Sequence, residues 1–206
     1  MSVLVLILAS GEAVRFDGQL KQLLPLIDGQ TIIGRIAAQV TSYSYSRPIV
    51  VSHHPVLQAM FACMTPTNHD TVCDTLLDTS ENWFDRNIIL LGDVIYANAV
   101  MRDILSNEDP IAVFGNTWEI FALAFDLSEK DKIVDALNVG RLHRLGKLRY
   151  FYRALCGVPL DYDEREGYSP DKNYFKYVGE WTRDIDTQYE YDRAMTEIVW
   201  AGKLNE

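Results

Sequence analysis

An apolar run from Val3 to Ala9 breaks at Ser10-Gly11 into a stretch that carries Arg15 and then Lys21. Small residues at the end of a buried strand let backbone N–H groups approach an anion, and Arg15 can grip a phosphate bidentately while Lys21 supplies a compact charge. That is the chemistry of triphosphate binding; singly, Gly11 also serves as a plain turn and the two cations as solvated loop charges. A second apolar run, Asn87 to Val94, ends on Gly92-Asp93. A carboxylate at the carboxyl end of a strand in an open α/β sheet faces the crevice where ligands bind, although Asp93 is also placed to cap a helix beginning near Ala97. The third element is Asp184-Ile185-Asp186. Alternate residues of an extended chain face one side, so both carboxylates can meet one cation, and Mg2+ favours such oxygen ligands completed by water and substrate phosphates. The other reading of Asp186 is a cap for the helical stretch that follows.

Leu8, Ala9, Gly11, Arg15 and Lys21 fall on the pattern Leu-Ala-x-Gly-x-Gly-x-Arg followed by Pro-Lys, and this opening resembles that of the nucleotidyltransferases with a GT-A-like fold. The run Lys21-Gln22-Leu23-Leu24-Pro25-Leu26 is similar to the sugar-1-phosphate members, while Ala13 replaces the second glycine and Leu20 the proline. The resemblance implies that Leu8, Ala9, Ser10, Gly11, Glu12, Ala13, Arg15 and Lys21 contact the nucleotide, with Arg15 and Lys21 acting on the reacting phosphates. It further implies that Asp93, in its Leu-x-Gly-Asp context, binds metal together with Asp184 and Asp186, which sit in an acidic-Ile-Asp-Thr segment before the last helix. Asp70, Thr71 and Thr75 fall where the family reads the base and then places a helix beside the nucleotide. Thr71 and Thr75 are hydroxyl donors one turn apart, and helix capping explains Asp70 or Thr71 equally well.

The elements that must position these residues are legible as pattern. Strands are predicted at Val3 to Ala9, Ile49 to Ser52, Ile88 to Gly92, Ile111 to Gly115 and Phe121 to Phe125, with helices at Ile32 to Thr41, Thr71 to Trp83, Ala97 to Leu105 and Glu190 to Trp200. This alternation predicts an α/β fold, a three-layer Rossmann-like arrangement of a mixed, mostly parallel sheet with helices on both faces. The neighbouring strands from 111 to 125, joined by a polar Asn116-Thr117 turn, predict one antiparallel insertion, as the resemblance also implies. Basic residues gather at Arg141, Arg144, Lys147, Arg149 and Arg153, with a rough helical periodicity. That segment reads as a solvated helix face, with a substrate lid and a subunit contact as alternatives, so homo-oligomerisation stays open. Asp161 to Lys172, rich in charge, reads as a loop.

The 206 residues suit one domain with a single substantial core, and 48% hydrophobic content without a membrane-length run predicts a globular protein off the membrane. The apolar start lacks a preceding basic segment and is not read as a signal peptide. Three cysteines without paired spacing predict a reducing compartment, hence the cytoplasm. A net charge of −10 disfavours nucleic acid, so a polyphosphate must be drawn in locally by Arg15, Lys21 and bound cations. The expected activity is Mg2+-dependent transfer of a nucleotidyl group from a nucleoside triphosphate to a sugar 1-phosphate or related phosphorylated small-molecule acceptor, releasing pyrophosphate. A nucleotide-sugar glycosyltransferase of the same fold and a non-catalytic nucleotide-binding module are the alternatives.

Overall fold

A computed structural model describes the chain except for residues 12–15, 17–18, 44–46, 143–146, 159, 161–173, 180–181 and 202–206, with only the backbone described at 199–201. Its centre is a seven-stranded sheet in the order β3-β2-β1-β4-β7-β6-β8. Strands β1 (Val3–Leu8), β2 (Ile49–Val51), β3 (Cys63–Met64) and β4 (Arg86–Leu91) run parallel, with β1 paired to both β2 and β4. The predicted insertion is present: β7 (Ile120–Asp126) runs antiparallel to β4 and to β6 (Ile111–Gly115), and β6 pairs in parallel with β8 (Phe175–Tyr177). A separate two-stranded ladder joins β5 (Val94–Ile95) to β9 (Arg183–Asp184).

Each face of the sheet is covered because β1 is apolar at every position. Val5 and Ile7 enter one core with Ile32, Ile33, Ile36 and Val40 of α1 (Ile32–Tyr43), Met101 and Ile104 of α4 (Asn98–Ser106) and Ala194 and Ile198 of α7 (Gln188–Ala201). Leu4, Leu6 and Leu8 enter the other with Cys73 and Leu76 of α3 (Val72–Asp78), Leu137 of α5 (Lys130–Leu142) and Phe151 of α6 (Leu148–Leu155). Side chains alternating across a strand thus serve two helical layers at once, which is why the strand reads as an unbroken hydrophobic run. The short α2 (Pro55–Met60) adds Leu57 to the first core.

The helix predicted to reach Trp83 ends at Asp78. Thr79 turns its hydroxyl back onto the Leu76 carbonyl and accepts from the indole of Trp83, so the chain continues as a 3-10 turn at Ser80–Asn82. Of the basic segment, Arg141 lies in the last turn of α5, Lys147 precedes α6 and Arg149 and Arg153 lie within it, while Arg144 lies outside the described residues; α6 buries Leu148, Tyr150, Phe151, Tyr152 and Leu155. The predicted loop at 161 to 172 lies outside the described residues. Among the described residues, no helix is long and apolar enough to cross a membrane.

Candidate active site: a carboxylate triad in the cleft

A cavity of about 780 Å³ opens beyond the carboxyl ends of β1 and β4, lined among others by Leu8, Ser10, Gly11, Asp93, Asp184 and Asp186. Asp93 reaches it because the chain turns sharply after β4. Gly92 donates its N–H to the Leu8 carbonyl at 2.8 Å, and a Cβ at that position would stand only 2.8 Å from the same oxygen and 3.2 Å from the Ala9 Cβ. Only glycine lets the two strand ends approach this closely.

Ninety residues later, the β5–β9 ladder brings the other acids to the same point. Val94 pairs with Asp184, and Ile185 donates its N–H to the Asp93 carbonyl at 3.1 Å. The ladder is anchored by Val94 and Ile185, neither of which has measurable exposure. Asp186 lies past β9 and is aimed by a capping box: Thr187 accepts from the Glu190 N–H, while the Glu190 carboxylate accepts from the Asp186 N–H and the Thr187 hydroxyl. Thr187, rather than Asp186, therefore caps α7, leaving the Asp186 carboxylate to the cleft. Asp93 does not cap α4 either, whose N-cap Ala97 has no side-chain bond.

Carboxylate oxygens of Asp93, Asp184 and Asp186 lie within 4.8 Å of one another. Lys21 joins them, its ammonium 2.6 Å from Asp93 Oδ2 and 2.7 Å from Asp186 Oδ1. The lysine is delivered by a 3-10 turn, Lys21–Leu23, pinned between buried Leu20 and Leu24. Leu20 holds φ at −66°, the value a proline would fix, so the departure from the family pattern costs the turn no geometry. Burial disfavours the Lys21 ammonium, but the charges of Asp93 and Asp184 and hydrogen bonds to Asp186 and Asp93 outweigh it and hold its pKa above the ordinary lysine value. Burial, with the neighbouring Asp93, pushes the Asp184 carboxyl up to about 8 despite Lys21. Asp184 Oδ1 is buried with no hydrogen-bond partner among the described residues.

The rest of the lining separates into structural and exposed groups. Ser10 gives its hydroxyl to the Val51 carbonyl and Ser52 gives its own to Ala9, tying the ends of β1 and β2 together, while a Cβ on Gly11 would meet only open space. Ser10 and Gly11 thus leave the backbone accessible. Thr71 caps α3, accepting from the Asp74 N–H and donating to its carboxylate, and Thr75 donates to the Thr71 carbonyl. The capping reading holds for Thr71, while Thr75 bonds back within its own helix; both nonetheless line the cavity with Asp70. Glu12, Ala13 and Arg15 lie outside the described residues. Trp118, Glu119, Lys147 and Arg149 also line the cavity, so two of the basic residues read as a solvated face belong to the cleft.

Two contributors escaped the sequence reading. Gln22 is 2% exposed with its amide oxygen unpaired, and lines the cavity beside Lys21; its position within the Lys-Gln-Leu-Leu-Pro run was the available signal. Tyr96, fully buried, donates to the Phe121 carbonyl at 2.6 Å and accepts from the Leu91 N–H at 3.0 Å, clamping β4 to β7 behind the triad. Nothing in its local pattern distinguishes it from an ordinary core aromatic.

No curated protein matches the chain. Among solved structures, a nucleotidyl transferase from Methanothermobacter thermautotrophicus superposes with a TM-score of 0.68 at 19% identity, covering 96% of this chain and 98% of that one. The CTP:phosphocholine cytidylyltransferase of Streptococcus pneumoniae gives 0.65 at 12% identity over 96% and 100% of the two chains. Rv0371c of Mycobacterium tuberculosis gives 0.64 at 18% identity over 94% and 97%, and that protein has also been solved in complex with manganese. At such identities these likenesses show the fold, which is the α/β arrangement of the nucleotidyltransferases. The model of the MobA-like NTP transferase domain matches residues 5–113, more than half of the chain, and the protein belongs to that family as a nucleotidyltransferase enzyme.

Proposed function

We propose that the protein joins a nucleoside triphosphate to a phosphorylated small-molecule alcohol, a sugar 1-phosphate or a related compound, in a Mg2+-dependent reaction that releases pyrophosphate. The observation that carries this reading is the convergence of Asp93, Asp184 and Asp186 within 4.8 Å on the cleft floor. The donor set fits a hard divalent cation: all three are carboxylates, one buried oxygen of Asp184 has no partner among the described residues, and the Lys21 ammonium already sits where positive charge is needed. A related fold holding manganese supports the same choice. Asp93, Asp184 and Asp186 would hold the ion, which when bound neutralises charge on the reacting phosphates.

In the reaction, an oxygen of the acceptor phosphate attacks the α-phosphorus. A new P–O–P linkage forms, the bond from the α-phosphorus to the α,β-bridging oxygen breaks, and pyrophosphate leaves with that electron pair. The protein's share is alignment and charge compensation. The accessible backbone at Ser10 and Gly11 offers N–H groups to phosphate, Lys21 adds a cation beside the carboxylates, and Lys147 and Arg149 line the same cleft. Thr71, Thr75 and Asp70 also line the cleft, and we assign them to the base.

The test is pyrophosphate release by the purified protein with each common ribonucleoside triphosphate, Mg2+ and a panel of phosphorylated acceptors. Acceptor-dependent release with one triphosphate preferred is expected. Consumption of finished nucleotide sugars instead, or tight nucleotide binding without release, would refute the proposal.

A further inference from the structure

A second cavity of about 600 Å³ adjoins the first, sharing Trp118, Glu119 and Asp184 as a common wall. Its mouth carries three of the most exposed aromatic side chains described, Trp118 at 59%, Tyr177 at 69% and Tyr189 at 73%. Aromatic rings left open to water around a cavity next to a catalytic floor call for a ligand that gains from their faces. The polar groups restrict which ligand. Arg183 and Arg193 share the one carboxylate of Glu197, at 2.9 and 2.7 Å, which offsets one of their two charges, while Glu119, Asp184 and Glu190 add three acids to the same lining. Glu119 and Glu190 line the same space without a lysine or arginine ion pair of their own among the described residues.

Two of the neutral polar side chains of the lining, which could otherwise read the hydroxyls of a sugar, are committed to the fold. Asn116 Oδ1 accepts from the Trp118 and Glu119 N–H groups to turn the β6–β7 hairpin, and Thr182 Oγ1 accepts from the Ala97 N–H. Aromatic faces with adjacent carboxylates are the means by which proteins hold an ammonium ion, above all a quaternary one that cannot donate hydrogen bonds.

Resting on the nucleotidyltransferase reading, we propose that the acceptor is the phosphate ester of an amino alcohol, with its ammonium head in the groove of Trp118, Tyr177 and Tyr189 and its phosphate toward the carboxylate triad. The shared wall makes this orientation continuous, because Glu119 and Asp184 border both spaces.

The experiment compares phosphocholine with its uncharged isostere 3,3-dimethylbutyl phosphate and with glucose 1-phosphate, following pyrophosphate release by the full chain with Mg2+ and the preferred triphosphate. A kcat/KM for phosphocholine at least ten times that of the isostere is expected. Tyr177→Leu and Tyr189→Leu, at exposed positions that do not threaten folding, should each raise the KM for phosphocholine at least fivefold and leave the KM for the triphosphate unchanged. Equal or better use of the isostere or of glucose 1-phosphate overturns the assignment while leaving the transferase reading intact. A titration with choline chloride, followed by tryptophan fluorescence against a potassium chloride control, needs no turnover. Saturable quenching that disappears in Trp118→Leu supports the groove even if no acceptor reacts, and its absence up to high millimolar choline overturns it.

Discussion

Replacing Lys21 by methionine isolates the electrostatics of the cleft floor, because methionine keeps most of the side-chain length and removes only the charge. In the metal-free protein the ammonium contacts Asp93 at 2.6 Å and Asp186 at 2.7 Å, and the side chains are 14%, 21% and 44% exposed. Breaking a fully buried pair costs about 3–5 kcal/mol, whereas exposed pairs are worth about 0–1 kcal/mol. The half-open Asp186 and the ease with which Asp184 keeps a proton place Lys21→Met between these limits, at about 2 kcal/mol. For a chain of this size that is a fall in Tm of about 4–8 °C. Mg2+ should then restore what the ammonium supplied: at a hundredfold excess over its Kd a ligand adds about 2.7 kcal/mol to the folded state. In the unmodified protein the same ion must first displace Lys21 from two carboxylates, so its thermal shift should be smaller. Calorimetric melting of both proteins in EDTA and in Mg2+ reads all four numbers. An unchanged Tm for Lys21→Met in EDTA, or equal Mg2+ shifts in both proteins, would refute the argument that the lysine serves as the triad's internal counter-ion.

Three further outcomes are expected. Asp93→Asn should keep its circular dichroism spectrum yet lose about 100-fold or more in metal-dependent pyrophosphate release, since an amide is a poor partner for a hard cation; a loss below tenfold would remove Asp93 from the site. The raised Asp184 carboxyl, near 8, must shed its proton before it can ligate, so Mg2+ affinity measured by titration calorimetry should climb by up to about tenfold per pH unit from pH 6 to about 8 and level off above. Below that pH the proton competes with the metal, and a flat profile from 6 to 8 would contradict the shift. Gly92→Ala, whose new methyl would stand 2.8 Å from the Leu8 carbonyl, should cost about 1–3 kcal/mol in denaturant unfolding.

What the sequence makes legible here follows from length scale. Buried strands such as β1 and β4 are long apolar runs, and their carboxyl ends locate Gly11 and Asp93 without knowledge of the rest of the chain. The acids at 184 and 186 are also legible as a pair, but strand alternation accounts for only one of them. Asp184 ends a two-residue strand and Asp186 lies beyond it, turned into the cleft by Thr187 and Glu190. Two-residue strands such as β3, β5 and β9 carry too little sequence for any periodicity. They exist because a long-range partner completes their hydrogen bonds, and such pairing is invisible in a local window. The hydroxyl of Thr71 shows the opposite limit: a capping pattern and a ligand-contact pattern use the same residue, and only the partner of its proton distinguishes them.

The basic segment is where charge bookkeeping changes the reading. A protein of net charge −10 must place its few phosphate-facing cations with care, and several of its described cations are consumed by the fold. Arg35 donates to Asn98 beside Asp28, Arg86 binds Asp126 and the carbonyls of Asn107 and Asp109, and Arg183 and Arg193 share Glu197. Lys21, read from sequence as a grip on the triphosphate, is held by Asp93 and Asp186. Lys147 and Arg149, at the start of α6, also line the cleft, Arg149 with a hydrogen bond to the Trp118 carbonyl. Their helix is fixed by burying Leu148, Phe151 and Leu155, so the apolar residues that made the segment look like an ordinary amphipathic face are the ones that hold its cations at the cleft. A helical pattern specifies which side is buried; whether the other side meets water or a substrate depends on what the fold places beside it, and here the fold places the cleft of the carboxylate triad.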